Sequence, residues 1–527
     1  MNERRICGEA VIALLEAYGV DTVFGIPGVH TLELYRGLGR SQIRHVQPRH
    51  EQGAGFMADG YARASGKPGV CLLITGPGVT NAATPIAQAY SDSVPMLVIS
   101  SVNATADLGM GRGRLHEITS QRAAMMPLTG FSATAMAPQE VPELMARAFG
   151  HFRARRPRPV HIEVPLDVLA APAAFDARVR PAPPPPSPSP ESLAEAAELI
   201  AAARRPVIIA GGGTVDCGDL VTRLAEALGA AVVPTVAAKG VVPEHHPLCV
   251  GALLSFRPAQ EFVAAADLVI AVGTELAETD MWTRRLELGG KLVRIDIDPD
   301  VLARDYAPEV AVLGDARPAL KALVTALDRA NRPGPGFADG KDVAALKARY
   351  RKSLSPLARK HAAVLDALRA ALPEDGFVAV DMTQITYTAC LYFPCRKPRR
   401  WLCPTGYGTL GYALPAATGA KLAAPERPGA LLVGDCGLLF TVQELATAAE
   451  LKLPLAIVLW NNDGLGQIRD DMRARQFPEI GVNPVNPDFL ALALAFGCHA
   501  TRPDSLNAFT EAVAGAFEAD RPTLIEV

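Results

Sequence analysis

The sequence predicts an α/β fold made of three doubly wound parallel-sheet domains. Short apolar runs bounded by turn residues alternate with helical patterns along the chain, as in successive βαβ units. At 527 residues the chain exceeds what one core supports and divides into about three domains by size. Two breaks rich in proline and glycine mark where it divides.

In the first region, residues 22–24, 43–46, 70–74 and 96–100 read as strands between helical stretches. The decad from Pro181 to Pro190, PAPPPPSPSP, favours a polyproline conformation that joins neither helix nor sheet, so the first domain is assigned to 1–180. Residues 206–210 and 268–272 are the clearest strands of a second domain, 191–330. There Gly211-Gly212-Gly213 follows a strand, but strand-to-helix turns need glycine anyway, and a lone cluster is a weak sign of nucleotide binding. A looser break through Asn331-Arg332-Pro333-Gly334-Pro335-Gly336 leads by a charged helical stretch to a third domain, 350–527, with a strand at 377–380.

Within the third domain, 430–433 and 455–460 read as buried parallel strands and 441–452 as their crossover helix. Asp435 and Asn462 follow directly on these runs, at the carboxyl ends of neighbouring strands where open α/β sheets bind ligands. Their oxygens, with a backbone carbonyl at the Asp463-Gly464 bend, suit Mg²⁺ holding phosphate oxygens rather than zinc. Residues 522–527 read as one more strand, and no carboxyl-terminal lid is expected. Glu51 occupies an analogous place in the first domain, at the start of a helix containing Gly53, Gly55 and Gly60. A carboxylate there also complements the helix dipole, so position by itself leaves a structural and a catalytic role open.

With 49% hydrophobic and 20% charged residues the composition is that of a soluble globular protein. A net charge of −3 and a pI near 6.4 give no electrostatic footprint for nucleic acid or an anionic membrane. No apolar run reaches the roughly 18 residues of a membrane span, and Met1-Asn2-Glu3-Arg4-Arg5 leads into an amphipathic helix rather than a signal peptide. A cytoplasmic location is expected. Nine cysteines without Cys-x-x-Cys spacing indicate reduced thiols, Cys390, Cys395 and Cys403 included. The expected partners are small molecules and further copies of the chain.

Gly434-Asp435-Cys436, followed by Asn461-Asn462-Asp463-Gly464, resembles the diphosphate-anchoring motif of thiamine-diphosphate enzymes. Phe24-Gly25-Ile26-Pro27-Gly28, His50-Glu51-Gln52-Gly53-Ala54 and the run GYGTLGYALP from Gly406 to Pro415 resemble motifs of the acetolactate synthase and 2-oxo-acid decarboxylase superfamily. The motifs stand in the family's order over nearly the whole chain. The resemblance implies pyrimidine-binding, central and diphosphate-binding domains, with thiamine diphosphate and Mg²⁺ as cofactors. Asp435, Asn462 and Gly464 would hold the metal. Gly434, Cys436, Gly437, Leu465 and Gly466 would meet the diphosphate, with Thr383 and Gln384 as further contacts. Cys436 departs from the glycine or alanine usual at its place. Pro27 and Gly408 would approach the cofactor, and Leu410 would bend it from beneath its rings. Glu51 would hydrogen-bond the aminopyrimidine N1′ and promote the tautomer that deprotonates the thiazolium, which then serves as electron sink for decarboxylation. Relatives place each active site between two chains, so a homodimer or homotetramer is implied.

Several places bear on the substrate, and one on flavin. Val29 and Ile468 stand where pyruvate decarboxylases carry acidic residues, which disfavours that activity. The middle domain reads Gly273-Thr274-Glu275-Leu276 where flavin-bound synthases have an arginine-bearing motif, so FAD is not expected. Leu115-His116-Glu117 replaces the synthases' Phe-Gln-Glu and makes His116 a candidate proton donor, since an imidazole titrates near neutrality. Asp471 stands where synthases place a size-limiting tryptophan and would pair with a cationic substrate tail, although the mixed charges from Arg469 to Arg475 also fit a solvated helix face. Val29, His30, His116, Gln467 and Asp471 are the expected substrate residues, with Glu117, Glu278 and Asp280 as further acids. The turns at Gly28–Tyr35 and Gly113–Glu117 are most similar to the 5-guanidino-2-oxopentanoate (2-ketoarginine) decarboxylases of arginine catabolism. A carboligase of the acetolactate synthase type shares every cofactor residue and stays open beside it. A non-catalytic scaffold is disfavoured by the joint presence of Glu51, Asp435 and Asn462.

Overall fold

The computed structural model describes residues 5–173, 175–330, 336–337 and 339–527. Residues 331–335, which carry most of the second predicted break, lie outside the described residues, as do residues 1–4. Three sheets form, and every ladder between their strands is parallel.

The first sheet contains β1 (Thr22–Gly25), β2 (Arg44–Val46), β3 (Gly69–Leu73), β4 (Met96–Val102), β5 (Phe131–Thr134) and β6 (Val160–Pro165), ordered β2-β1-β3-β4-β6-β5. The second contains β7 (Pro206–Ala210), β8 (Ala231–Pro234), β9 (Leu268–Val272), β10 (Lys291–Asp296) and β11 (Val310–Leu313), ordered β11-β10-β9-β7-β8. The third contains β12 (Phe377–Val380), β13 (Trp401–Leu402), β14 (Gly429–Gly434), β15 (Leu455–Trp460), β16 (His499–Thr501) and β17 (Thr523–Glu526), ordered β13-β12-β14-β15-β17-β16. Central strands such as β4, β9 and β14 are buried along their whole length, as parallel sheets covered by helices on both faces require.

Several strands had no clear signature in the sequence. β13 has two residues, and β5 and β16 are largely half-exposed. β6 interrupts its apolar run with His161 and Glu163, and β10 with Arg294; all three side chains are buried. His161 is bracketed by the hydroxyls of Ser100 (2.8 Å) and Ser132 (2.7 Å). The crossover from β14 to β15 also differs from the expected helix over 441–452. Asp435 itself opens a short helix, Asp435–Leu439, and a second one, Glu444–Glu450, completes the crossing. Between them the Thr441 hydroxyl bonds the Gly411 carbonyl at 2.8 Å. Gly211 and Gly213 in the middle sheet are explained by close packing: a Cβ on Gly211 would lie 2.1 Å from the Gly273 oxygen.

Residues 175–189 form neither helix nor strand. The middle sheet builds a core of its own, joined by Phe337, Val343 and Leu346. The first and third sheets share one: Phe24, Phe56 and Met57 belong to the same apolar cluster as Phe377, Tyr412, Leu431 and Ile457. At its centre, helix Glu51–Ser65 crosses helix Ala413–Ala423 with backbones in contact. A Cβ on Gly60 would stand 2.0 Å from the Ala416 oxygen, and one on Gly419 1.9 Å from the Met57 oxygen. Polar groups close the same seam. Arg63 pairs with Asp59 and Asp92, at 2.6 Å each, and the Tyr412 hydroxyl reaches Asp59 at 2.6 Å. Buried Glu444 accepts the backbone N–H groups of Arg49 and His50, both at 3.0 Å, and so fixes the approach to Glu51.

Asp381, just past β12, holds the turn that carries Leu410. Its carboxylate accepts the N–H of Gly411 at 2.9 Å and that of Met382 at 2.9 Å. Burial pushes this carboxyl up to about 7, against the donors, which pull the other way. The folded chain then retains a proton that the unfolded chain releases from about pH 4 upward, so this group's contribution to stability is complete below that pH and is lost as the pH rises through 7. Asp381→Asn should therefore flatten the fall in stability between about pH 4 and 7 measured by chemical denaturation. Gly60→Ala, which must push its helix away from its neighbour, should cost about 1–3 kcal/mol in thermal unfolding. Gly515→Ala, at a helical glycine with nothing within 4 Å of its Cβ position, should gain about 0.5–1 kcal/mol.

Candidate active site

The ends of β12, β14 and β15 converge on one oxygen-rich crevice. Asp435 is 2% exposed, and its Oδ2 accepts the Gly464 N–H at 2.7 Å and the Asn486 side-chain amide at 2.7 Å. Asp435 Oδ1 is left for a ligand. Across from it, the Asn462 amide donates to Gln384 Oε1 at 2.8 Å, while Asn462 Oδ1 is buried without a partner. The amide orientation follows from Gln384, whose own Nε2 is held by Asp470 at 2.8 Å, leaving Oε1 as acceptor toward Asn462. An orphaned amide oxygen beside a spare carboxylate oxygen fits a hard cation. Among the described residues no three His, Cys, Asp or Glu side chains gather as ligands, so an ion here relies on carboxylate, amide and carbonyl oxygens. The Gly464 carbonyl also accepts the Gly466 N–H at 2.9 Å, which occupies one of its two lone pairs.

Glycine is required around this crevice. Gly464 has φ of 140°, and a Cβ there would lie 2.2 Å from the Val482 oxygen. A Cβ on Gly434 would meet the Thr383 hydroxyl at 2.7 Å, one on Gly466 the Asn462 amide at 2.3 Å, and one on Gly437 the Asp381 carboxylate at 3.2 Å. Thr383, Gln384, Gly434, Asp435, Gly437, Asn462, Gly464 and Gly466 are thus brought together. Cys436 is half-buried beside them, its thiol pushed up to about 11 by burial and by the Asp435 charge. Leu410 and Leu465 are half-buried. Leu410 sits two residues past Gly408 and one before Gly411, both with positive φ, and Gly408 has open space on its Cβ side.

The first sheet carries the second group. Glu51 starts its helix after His50, whose Nδ1 caps it by accepting the Gln52 N–H at 3.1 Å. Glu51 Oε2 accepts from Asn81 at 3.0 Å, and a Cβ on Gly78 would lie 3.5 Å from Oε1. The rings of His30 and His116 meet edge to face, 5.1 Å between centroids, each with a buried Nδ1 that has no partner. Burial holds the His30 imidazole below its ordinary value, and His116 adds to the effect. His116 lies at φ of 60° and borders a cavity of about 250 Å³ that Thr75, Asn103, Gln121, Thr134 and Glu163 also line. Val29 is exposed and Pro27 is exposed beside this group.

Glu117 lines the same cavity as His116, but its carboxylate is spent on the backbone of its own loop, accepting the N–H of Arg114 at 2.8 Å and of Arg112 at 3.2 Å. Other expected residues lie apart. Asp280 is tied to the Val236 N–H at 3.0 Å, and burial pushes it up to about 6. Asp471 is exposed and accepts Gln467 Nε2 at 3.3 Å; its neighbour Asp470 is the one that reaches the crevice through Gln384. Among the described residues Glu51 and Asp435 share no hydrogen-bond partner. Asn81, Asp381, Glu444 and Asn486 were missed from the sequence, because each acts on a distant segment and none sits in a recognisable local pattern.

Comparison with known proteins agrees with this geometry. Family models match in chain order: the thiamine pyrophosphate enzyme N-terminal TPP-binding domain over residues 6–125, the central domain over 193–323 and the C-terminal TPP-binding domain over 381–527. The chain is 56% identical to a probable 2-ketoarginine decarboxylase of Pseudomonas aeruginosa, covering 99% of this chain and 93% of that one. It is 34% identical to the acetolactate synthase isozyme 1 large subunit of Escherichia coli, covering 94% and 89% respectively. To a probable acetolactate synthase large subunit of Methanococcus aeolicus it is 31% identical, covering 98% and 91%. With three family models matched in order along the chain and a full-length relative at 56% identity, the chain belongs to the thiamine pyrophosphate enzyme family.

Proposed function

We propose that this enzyme is a Mg²⁺- and thiamine-diphosphate-dependent carboxy-lyase that converts 5-guanidino-2-oxopentanoate to 4-guanidinobutanal and CO₂, a step of arginine catabolism. The observation that supports the cofactor reading is that Asn462 Oδ1 is buried without a partner while both contacts of Asp435 fall on Oδ2, at the ends of neighbouring strands. The substrate reading rests on similarity to the probable 2-ketoarginine decarboxylase. Bound thiamine diphosphate supplies the electron sink that decarboxylation of a 2-oxo acid needs.

The chain's own residues do the rest. Asp435, Asn462 and the Gly464 carbonyl would hold the cation, and Gly434, Gly437 and Gly466 would let backbone approach the diphosphate, with Thr383, Gln384, Cys436 and Leu465 as further contacts. Leu410, near Gly408, would support the rings, and Pro27 would contact the pyrimidine. Glu51 holds and returns a proton at the pyrimidine nitrogen. His116, paired with His30, delivers the proton to the carbon from which CO₂ departs. Val29 and Gln467 border the substrate, and Asp471 meets its guanidinium. We assign pyrimidine binding to residues 1–180, a central domain to 191–330 and diphosphate binding to 350–527, with no FAD. Glu51 of one protomer faces the diphosphate domain of another in a homodimer or homotetramer. No helix among the described residues is long and apolar enough to cross a membrane, which accords with a cytoplasmic setting. Similarity to the synthases favours one second reading, carboligation, in which another carbonyl compound replaces the proton.

Glu51→Gln should lower turnover by about 10²–10⁴-fold while the melting temperature stays unchanged. A panel of 2-oxo acids should give CO₂ and aldehyde in equal amounts, fastest from 2-ketoarginine, and Asp471→Asn should weaken that substrate roughly tenfold more than an uncharged one. Faster formation of acetolactate from pyruvate would establish the carboligase instead.

A further inference from the structure

We infer that Asn486 is a positioning residue of the cation site, aiming the Asp435 carboxylate from outside every motif that marks the cofactor. The inference rests on the reading of Asp435 and Asn462 as Mg²⁺ donors. Asn486 lies 51 residues beyond Asp435 in the chain, yet its Nδ2 stands 2.7 Å from Asp435 Oδ2 and 3.2 Å from Asn461 Oδ1. Both neighbours are acceptors, so only the nitrogen of the amide can face them; a flipped Asn486 would set oxygen against oxygen.

The consequence falls on Asp435. A carboxylate oxygen offers two lone-pair directions, and those of Oδ2 are used by Asn486 and by the Gly464 N–H. Oδ1 alone is left, and the carboxylate is turned to present it singly. Asn462 is treated in the same manner from the other side: Gln384 takes its nitrogen, Asp470 holds Gln384, and the oxygen is left over. Each of these side chains is therefore oriented by a neighbouring amide, Asn486 for Asp435 and Gln384 for Asn462.

The segment bearing Asn486 is itself tied down beside the site. The Leu465 N–H bonds the Val482 carbonyl at 3.0 Å, and Arg469 bonds Asn483 Oδ1 at 3.1 Å. Asn486 Oδ1 is buried without a partner, an unfavourable arrangement that apolar packing would avoid and that the two contacts of Nδ2 account for. Outer partners of metal ligands are typically worth about 10–100-fold in metal affinity, because they fix the ligand's orientation before the ion arrives.

The test is a calorimetric titration of Mg²⁺ into the full chain with thiamine diphosphate present, accompanied by melting of the cofactor-free protein. Asn486→Ala should weaken Mg²⁺ binding by about 10–100-fold, leave the cofactor-free melting temperature unchanged, and regain full cofactor binding at raised Mg²⁺. Asn486→Asp keeps the shape but sets a carboxylate against Asp435, so it should bind Mg²⁺ no better than Asn486→Ala; if the alanine variant fails to fold, this one decides. Unchanged affinity in both variants, or an aspartate variant milder than the alanine one, would overturn the inference while leaving the cofactor reading intact. If the wild-type chain does not take up Mg²⁺ with thiamine diphosphate, the cofactor reading falls and the inference with it.

Discussion

The backbone contact between helix Glu51–Ser65 and helix Ala413–Ala423 is the constraint on which the rest of the architecture depends. Gly60 and Gly419 have no room for a Cβ, so the first and third sheets meet in one shared core rather than as two separate bodies. Glu51 begins one of these helices, and Leu410 lies just before the other. A seam only a peptide wide therefore sets where Glu51 and the turn carrying Leu410 stand within the chain. Buried Asp59, the partly buried Arg63 and Asp92 that complete its group, and the Glu444 carboxylate lock the same seam with directional contacts, which apolar packing alone does not provide.

At the ends of β12, β14 and β15 the chemistry depends on orientation more than on residue identity. Asp435, Asn462 and Gln384 could each point several ways. Their hydrogen bonds allow one arrangement, which leaves Asp435 Oδ1 and Asn462 Oδ1 without protein hydrogen bonds. Parallel strands make this possible, because their carboxyl ends bring residues 381–384, 434–437 and 462–466 to the same edge of the sheet. Glycines stand between them because a Cβ at Gly464 would meet backbone at 2.2 Å, and one at Gly434 or Gly466 would push aside the Thr383 or Asn462 side chain.

The middle sheet has a different character. It keeps its own core, and its Gly211 to Gly213 turn, which resembles a nucleotide loop in the sequence, is packed against Gly273. Of its acids, Asp280, a candidate substrate residue, is engaged by the Val236 backbone, and Glu275 pairs with Arg304 at 3.2 Å. Burial and local hydrogen bonding, rather than substrate, explain their presence.

Long buried strands such as β9, β14 and β15 were legible in the sequence because parallel strands covered on both faces are apolar without interruption. Asp435, Asn462 and Glu51 were legible because they follow or precede such runs at fixed spacing. β6 and β10 were not, since His161, Glu163 and Arg294 are satisfied by partners that only the folded chain supplies. The same reason hid Asn486, Glu444, Asp381 and Asn81, whose importance lies wholly in what they touch across tens or hundreds of residues. The fold class was readable from local periodicity, and the family from motifs that resemble its members, because both are properties of short stretches of chain. Only the tertiary structure decided which oxygens Asp435 and Asn462 present and which carboxylates are already spent, because hydrogen-bond orientation is set by neighbours distant in the chain.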